Sequence, residues 1–249
     1  MKITILSLIL SFTLLALGCK PDIEQGLSHN EYINKAEQAI TASDLEKAIS
    51  YYKMALKLQP NDANSHYILG ELYKREYRTS YNEAWKKRFL HEARRPALMK
   101  THYDDKAEDL KAYGLKVGYD ELGIQEFKEA VKYNNNHWLA RHWIAVDYFE
   151  KKQYYETIQE LKKVIELNPQ FEGAYSVIGE AYMEIGSLDL ALTNLEIALK
   201  LDPAPEYIYY KLGLLYRKMN NGDKLNEMLQ KLKSMQSIWY DELRLSLYR

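Results

Sequence analysis

The stretch from Tyr175 to Pro203, YSVIGEAYMEIGSLDLALTNLEIALKLDP, decides how this chain folds. It reads as two helices in succession. The first carries Tyr175, Ile178-Gly179 and Tyr182, and the second carries Ala191, Leu195 and Ala198, spaced four and three apart on one stripe. Gly179 is a notch through which the second helix approaches the first. Pro203 stops the second helix, because it has no amide hydrogen and its ring clashes with the preceding turn. A pair this small cannot bury its apolar stripes alone, so it needs neighbours.

The neighbours are in the chain. Thirty-four residues later stand Tyr209, Leu212-Gly213, Tyr216, Leu225, Leu229 and Leu232; thirty-four residues earlier stand Arg141, Ile144-Ala145, Tyr148, Thr157, Leu161, Val164 and Pro169. Near the start, Tyr32, Ala36, Ala39, Ala48, Tyr52, Ala55 and Pro60 keep the same spacing, followed by His66, Leu69-Gly70 and Tyr73. Ser43 with Glu46 reads as a capping box for the first of the second helices.

This pattern resembles the tetratricopeptide repeat, whose signature is an aromatic residue, a Leu-Gly or Leu-Ala pair, a Tyr, then Ala, Phe, Ala and Pro at these offsets. The resemblance implies an all-α solenoid of antiparallel helix pairs forming a right-handed superhelix, closed by a C-terminal capping helix. The array spans 29–237 in about six repeats: 29–62, 63–99, 104–137, 138–171, 172–205 and 206–237. Repeat 63–99 is read with a displaced second helix (Ala84 and Phe89 inward, Pro96 at its end). Repeat 104–137 is degenerate, with Leu110, Gly123, Phe127 and Ala130 in register but Lys111 and Gly114 out of type. A division into five repeats with one long helical insertion stays open. Residues 238–249 form the cap, with Trp239, Leu243 and Leu247 four apart facing the last repeat.

Composition agrees. With 6 Pro and 11 Gly in 249 residues, and long stretches rich in Ala, Leu, Glu and Lys, the chain favours helices over hairpins. Lys and Arg total 34 against 35 Asp and Glu, so the basic excess that phosphate binding demands is missing and nucleic acid is not the expected partner. The single cysteine, Cys19, excludes an intrachain disulfide.

That cysteine ends an address. Lys2 is followed by an apolar run from Ile3 to Leu17, shorter than the ~20 residues a spanning helix needs. The run closes on Leu15-Ala16-Leu17-Gly18-Cys19, which resembles the bacterial lipobox, with Ala16 and Leu17 in the reverse of the commonest order. The resemblance implies a signal peptide over 1–18, lipidation of Cys19 and stable anchoring by several acyl chains. Residues 19–28 read as a tether. Lys20 in place of Asp after the cysteine implies, by resemblance to sorted lipoproteins, the outer membrane of a bacterial cell envelope, facing the periplasm.

No catalytic or metal pattern survives inspection. His91-Glu92-Ala93-Arg94-Arg95 lacks the second histidine of a zinc-protease helix, and His137 and His142 lie five apart, off one helical face. No cofactor, metal, enzymatic activity or small-molecule substrate is expected. By resemblance, the first helix of each repeat lines a concave groove that takes a protein or peptide. The candidate contacts are Tyr67, Glu71 and Lys74 in one repeat, and His142, Val146 and Phe149 in another. Ser176, Glu180 and Met183, then Tyr210, Leu214 and Arg217, follow in the last two. Ile33 and Glu37 stand where carboxylate-holding repeats carry Lys and Asn, which argues against that activity. A basic cluster of Lys86, Lys87, Arg88, Arg94, Arg95 and Lys100 is a second candidate, for anionic lipid or an acidic partner. The functional expectation is a membrane-anchored, non-enzymatic scaffold for assembling an envelope complex at a pilus secretin or in outer-membrane biogenesis. The other reading is an accessory subunit that presents a substrate to an envelope enzyme.

Overall fold

The computed structural model describes residues 23–92, 119–202 and 205–247, and of 81–92 and 119 the backbone. Among these residues are eleven helices and no strand. The chain divides into two compact units, one ending at Gly123 and one starting at Ile124.

The first unit holds α1 (His29–Thr41), α2 (Leu45–Leu58), α3 (Ala63–Glu92) and the opening turn of α4 (Tyr119–Tyr133). Tyr32, Ala36 and Ala39 of α1 close on Ala48, Tyr52 and Ala55 of α2, and Leu69, Leu72 and Tyr73 of α3 complete the cluster. The Ala and Tyr positions of the repeat do this together: small side chains let the axes approach and rings fill what remains. α1 opens with a complete capping box, in which Ser28 and Glu31 satisfy each other's orphan amides. The capping box expected at Ser43 and Glu46 is not formed. Asp44 caps α2 by accepting from the Lys47 amide, and Ser43 sits at φ 60° one residue too early.

Repeat 63–99 also departs from expectation. α3 runs uninterrupted for 30 residues to Glu92, so no turn separates a first from a second helix there. The reason is local: from Tyr77 to Glu92 no Gly or Pro offers the chain a way out of the helix. Pro96, and the first helix of repeat 104–137 with Leu110, Lys111 and Gly114, lie outside the described residues.

The second unit begins in α4, where Phe127 and Ala130 are buried as the repeat register expects, and Ile124 is buried with them. The pairs α5 (Trp138–Glu150) with α6 (Tyr154–Leu167), α7 (Glu172–Glu184) with α8 (Leu188–Leu201), and α9 (Glu206–Lys218) with α10 (Gly222–Ser234) follow, then α11 (Trp239–Ser246). Each second helix packs on its own first helix and on the first helix that follows. Leu161 and Val164 of α6, and Ala191, Leu195 and Ala198 of α8, are fully buried. Gly179 meets Leu195 as expected: a methyl group there would sit 2.8 Å from the leucine Cγ.

Gly213 does not behave like Gly179. The side chain nearest to it is Leu243 of α11, not one from α10, and Leu243 is fully buried while Leu225 and Leu229 stay half-buried. The cap therefore shares packing that the sequence assigns to α10 alone, whose Leu232 is fully buried beside it. Leu247, expected to face inward with Trp239 and Leu243, is 42% exposed, because α11 ends at Ser246 before that turn closes.

One turn geometry recurs. After α1, α5, α7, α9 and α10, a residue in the left-handed region ends the helix: Ser43, Lys152, Gly186, Asn220 and Gln236. The amides of Gln153, Ser187 and Asn221 reach back to the carbonyls of Tyr148, Tyr182 and Tyr216, closing Schellman motifs. Only Gly186 and Asn220 are residue types that favour this conformation.

Candidate functional site

The face carried by the first helices of the second unit is built from α5, α7 and α9, adjacent in the stack. Repeat spacing puts His142, Ser176 and Tyr210 at one equivalent position of these helices, Val146, Glu180 and Leu214 at the next, and Phe149, Met183 and Arg217 at a third. A period of 34 residues thus becomes three rows of side chains, one step per helix.

The rows are not open along their length. Residues next to them close over the seams between helices. Phe171, in the loop before α7, puts its ring edge-on to His142 at 4.9 Å and packs on Trp138 at 5.0 Å. Trp239 repeats this arrangement two first helices further along, stacked on Tyr210 at 4.8 Å and edge-on to Tyr207 at 5.3 Å. At the centre, Glu180 accepts from Lys211 Nζ at 2.6 Å and from the Tyr207 hydroxyl at 3.2 Å. The lysine also lies over the Tyr207 ring at 4.8 Å.

Electrostatics follow from this packing. Burial alone would lower Lys211, but the Glu180 carboxylate and the Tyr207 hydroxyl outweigh it and hold the ammonium above its ordinary range. Burial, and then the neighbouring Glu180 charge, push Tyr207 upward. His142 is held at a pKa of about 4 by burial. The face therefore presents one internally neutralised ion pair, a neutral imidazole and several rings. It suits contact with uncharged groups and apolar side chains.

Among the twelve candidates, Ser176, Glu180 and Met183 are buried, and Met183 belongs to the core around α9. Phe149 packs on Tyr154 at 5.5 Å, and Arg217 donates to the Ser246 carbonyl of α11. Val146, Tyr210 and Leu214 are half-buried. In the first unit, Tyr67 and Glu71 are half-buried, and Lys74 is committed to Asp120 at 2.6 Å. Of the basic cluster, the side chains of Lys86, Lys87 and Arg88, and all of Arg94, Arg95 and Lys100, lie outside the described residues, as does Cys19.

Sequence reasoning passed over Tyr207, Lys211 and Phe171, and assigned Trp239 to the cap alone. All four stand beside the signature positions, and Phe171 and Trp239 are two repeat periods apart, as are His142 and Tyr210; that shared spacing was the signal that could have found the two rings. Among the described residues no three His, Cys, Asp or Glu side chains converge to hold a metal, and no helix is long and apolar enough to cross a membrane.

Comparison with known proteins agrees with this geometry. A family model described as TPR repeat matches residues 179–220. Anaphase-promoting complex subunit 3 of Dictyostelium discoideum is 31% identical over 81 residues, 32% of this chain but 8% of that protein. BBSome complex member BBS4 of Bos taurus is 27% identical over 113 residues, 45% of this chain and 22% of its own. The chain thus spans under a quarter of the length of these curated relatives. Among solved structures, a MamA protein superposes with a TM-score of 0.60 at 20% identity, covering 84% of this chain and 92% of that one. The MamA fragment from residue 41 to the end, from Desulfovibrio magneticus RS-1, gives 0.60 at 18%, covering 86% and 97%. YrrB, described as a TPR protein with an unusual peptide-binding site, gives 0.57 at 20%, covering 82% and 84%. At these identities the likeness establishes the fold, an all-α solenoid of the tetratricopeptide type.

Proposed function

We propose that this chain is a non-enzymatic scaffold that binds a segment of a partner protein on the α5–α7–α9 face of its second unit, while a lipidated Cys19 tethers it to a bacterial envelope membrane. The observation that carries the first half is the face itself. Tyr207 and Tyr210, with Trp239 packed on them, lie beside a neutralised Glu180–Lys211 pair, and Phe171 lies against His142, an arrangement that buries apolar ligand surface at little charge cost. A tetratricopeptide fold with such a face is a platform for proteins. YrrB, of the same fold, is described as having a peptide-binding site. The second half rests on the sequence Leu15-Ala16-Leu17-Gly18-Cys19 behind an apolar run. Assembly of an envelope complex is the task that joins the two halves.

The test is affinity capture from membranes with wild type, Cys19→Ser and the double variant Tyr207→Ala, Tyr210→Ala. The binding reading expects one envelope protein enriched by wild type and lost from the double variant. Undiminished enrichment by that variant refutes it. Cys19→Ser is expected to move the protein to the soluble fraction and abolish labelling by a radioactive fatty acid. Unchanged membrane attachment refutes the anchor.

A further inference from the structure

Five buried side-chain polar atoms among the described residues have no hydrogen-bond partner: His29 Nε2, Tyr52 Oη, Glu71 Oε1, His142 Nδ1 and Ser176 Oγ. His29 Nε2 at least lies 3.3 Å from the Asp62 carboxylate, whereas His142 and Ser176 face no charge of that kind. Native proteins rarely leave such groups unmet, so each orphan asks what is missing. Two of the five are related by the repeat. His142 and Ser176 are 34 residues apart and occupy the same position on α5 and α7. Ser176 is only 5% exposed, and His142 is enclosed by the rings of Trp143 and Phe171.

Building on the reading of this face as a peptide-binding surface, we propose that its occupant is an extended main chain whose own peptide groups pair with His142 Nδ1 and Ser176 Oγ. The spacing fits. Packed helices lie about 8–10 Å apart, and an extended chain rises about 3.3 Å per residue, so three residues of ligand span one helix step. A peptide group at ligand residue i then meets His142 and one at i+3 meets Ser176. A helical ligand cannot do this, because its mid-chain amides and carbonyls are bonded to each other. A serine hydroxyl and a neutral imidazole suit peptide groups, since each can donate or accept.

Access to His142 is guarded by Phe171. The ring lies edge-on to the imidazole, and its Cζ would be 2.9 Å from a methyl group placed on Gly173, so the absence of a side chain at Gly173 is what lets the ring lie there. Turning that ring outward uncovers Nδ1 and leaves an apolar slot for a ligand side chain. One helix past Ser176, on α9, Tyr207 and Tyr210 with Trp239 offer a further ligand side chain a platform, and Tyr207 is 38% exposed.

The experiment begins with random twelve-residue peptides displayed on phage, selected on the full chain. One selected peptide is then synthesised, together with copies methylated at a single backbone nitrogen each. Methylation at one or both of two positions three residues apart is expected to weaken binding about tenfold, the effect of a lost hydrogen bond, and to be tolerated elsewhere. Ser176→Ala and His142→Phe should each weaken binding to a similar degree without lowering the melting temperature. Phe171→Ala should speed association.

A flat methylation profile, a helical circular dichroism spectrum of the bound peptide, or unchanged binding by Ser176→Ala and His142→Phe overturns the extended-chain assignment. If binding is still lost in Tyr207→Ala, Tyr210→Ala under those outcomes, the peptide-binding reading survives alone. Recovery of no peptide at all overturns both.

Discussion

His142 makes the acid stability of the second unit a direct measurement of how its face is packed. The imidazole has no charged partner, and burial alone holds its pKa at about 4, against 6.5 in the unfolded chain. Between those values the unfolded state binds a proton that the folded state refuses, so stability falls as the pH drops. The contribution is intact above about pH 6.5, shrinks through the window, and is gone near pH 4. A displacement of roughly 2.5 units corresponds to about 3 kcal/mol, a large share of the 5–15 kcal/mol typical of a domain. The assay is urea unfolding of the full chain, followed by far-UV circular dichroism from about pH 7.5 to 4.5, for wild type and His142→Phe. Phenylalanine keeps a ring against Phe171 and cannot titrate. Wild type should lose about 2–3 kcal/mol across this window and the variant most of 1 kcal/mol or less. Some slope remains in the variant because burial also depresses His137, which accepts from the Ala140 amide while neutral. The lowered carboxyls, Glu160 among them, contribute acid loss below this range. Parallel curves for the two proteins, or an imidazole titrating near 6.5 by NMR, would refute the reasoning.

Three further outcomes follow from particular contacts. Arg141 is buried where the other repeats carry an aromatic residue, bonding Glu160 at 2.7 Å and the Asn135 carbonyl at 2.9 Å. Arg141→Ala should cost about 1–3 kcal/mol in urea unfolding, because it removes the bonds to Glu160 and the Asn135 carbonyl and leaves the half-buried Glu160 carboxylate with Lys163 alone, at 2.8 Å, and Arg141→Ala with Glu160→Ala should recover part of that loss. Lys152 is exposed at φ 59°, so Lys152→Gly should stabilise by about 0.5–1 kcal/mol and raise the melting temperature, while Gly186→Lys should reverse the sign. Gly179→Ala should destabilise by about 1–3 kcal/mol, since the new methyl overlaps Leu195 and lies 3.2 Å from the Ala191 carbonyl, whereas Gly222→Ala meets nothing and should be neutral or stabilising.

By itself, the sequence determined the repeat and its period. Ala191, Leu195 and Ala198 share one stripe because helical geometry is local, and their counterparts at intervals of thirty-four residues carry the same information. It also determined which positions form the first-helix rows, since those follow from the same period. Where turn chemistry was ambiguous it misled. Ser43 has the composition of a cap, yet Asp44 is the cap, because the Schellman turn after α1 consumes one more residue before α2 begins.

Only the tertiary structure decided what each row position touches. Met183 and Tyr210 stand in the rows for the same reason, but Met183 is sealed in the core around α9, and Tyr210 stacks on a tryptophan that the sequence assigned to the cap. Likewise Gly213 receives Leu243 rather than a residue of α10. Side-chain partners across a seam depend on how two helices are set against each other, which is fixed by the summed fit of many residues. A periodic pattern names the face of a helix, and packing decides how much of that face is left for a ligand.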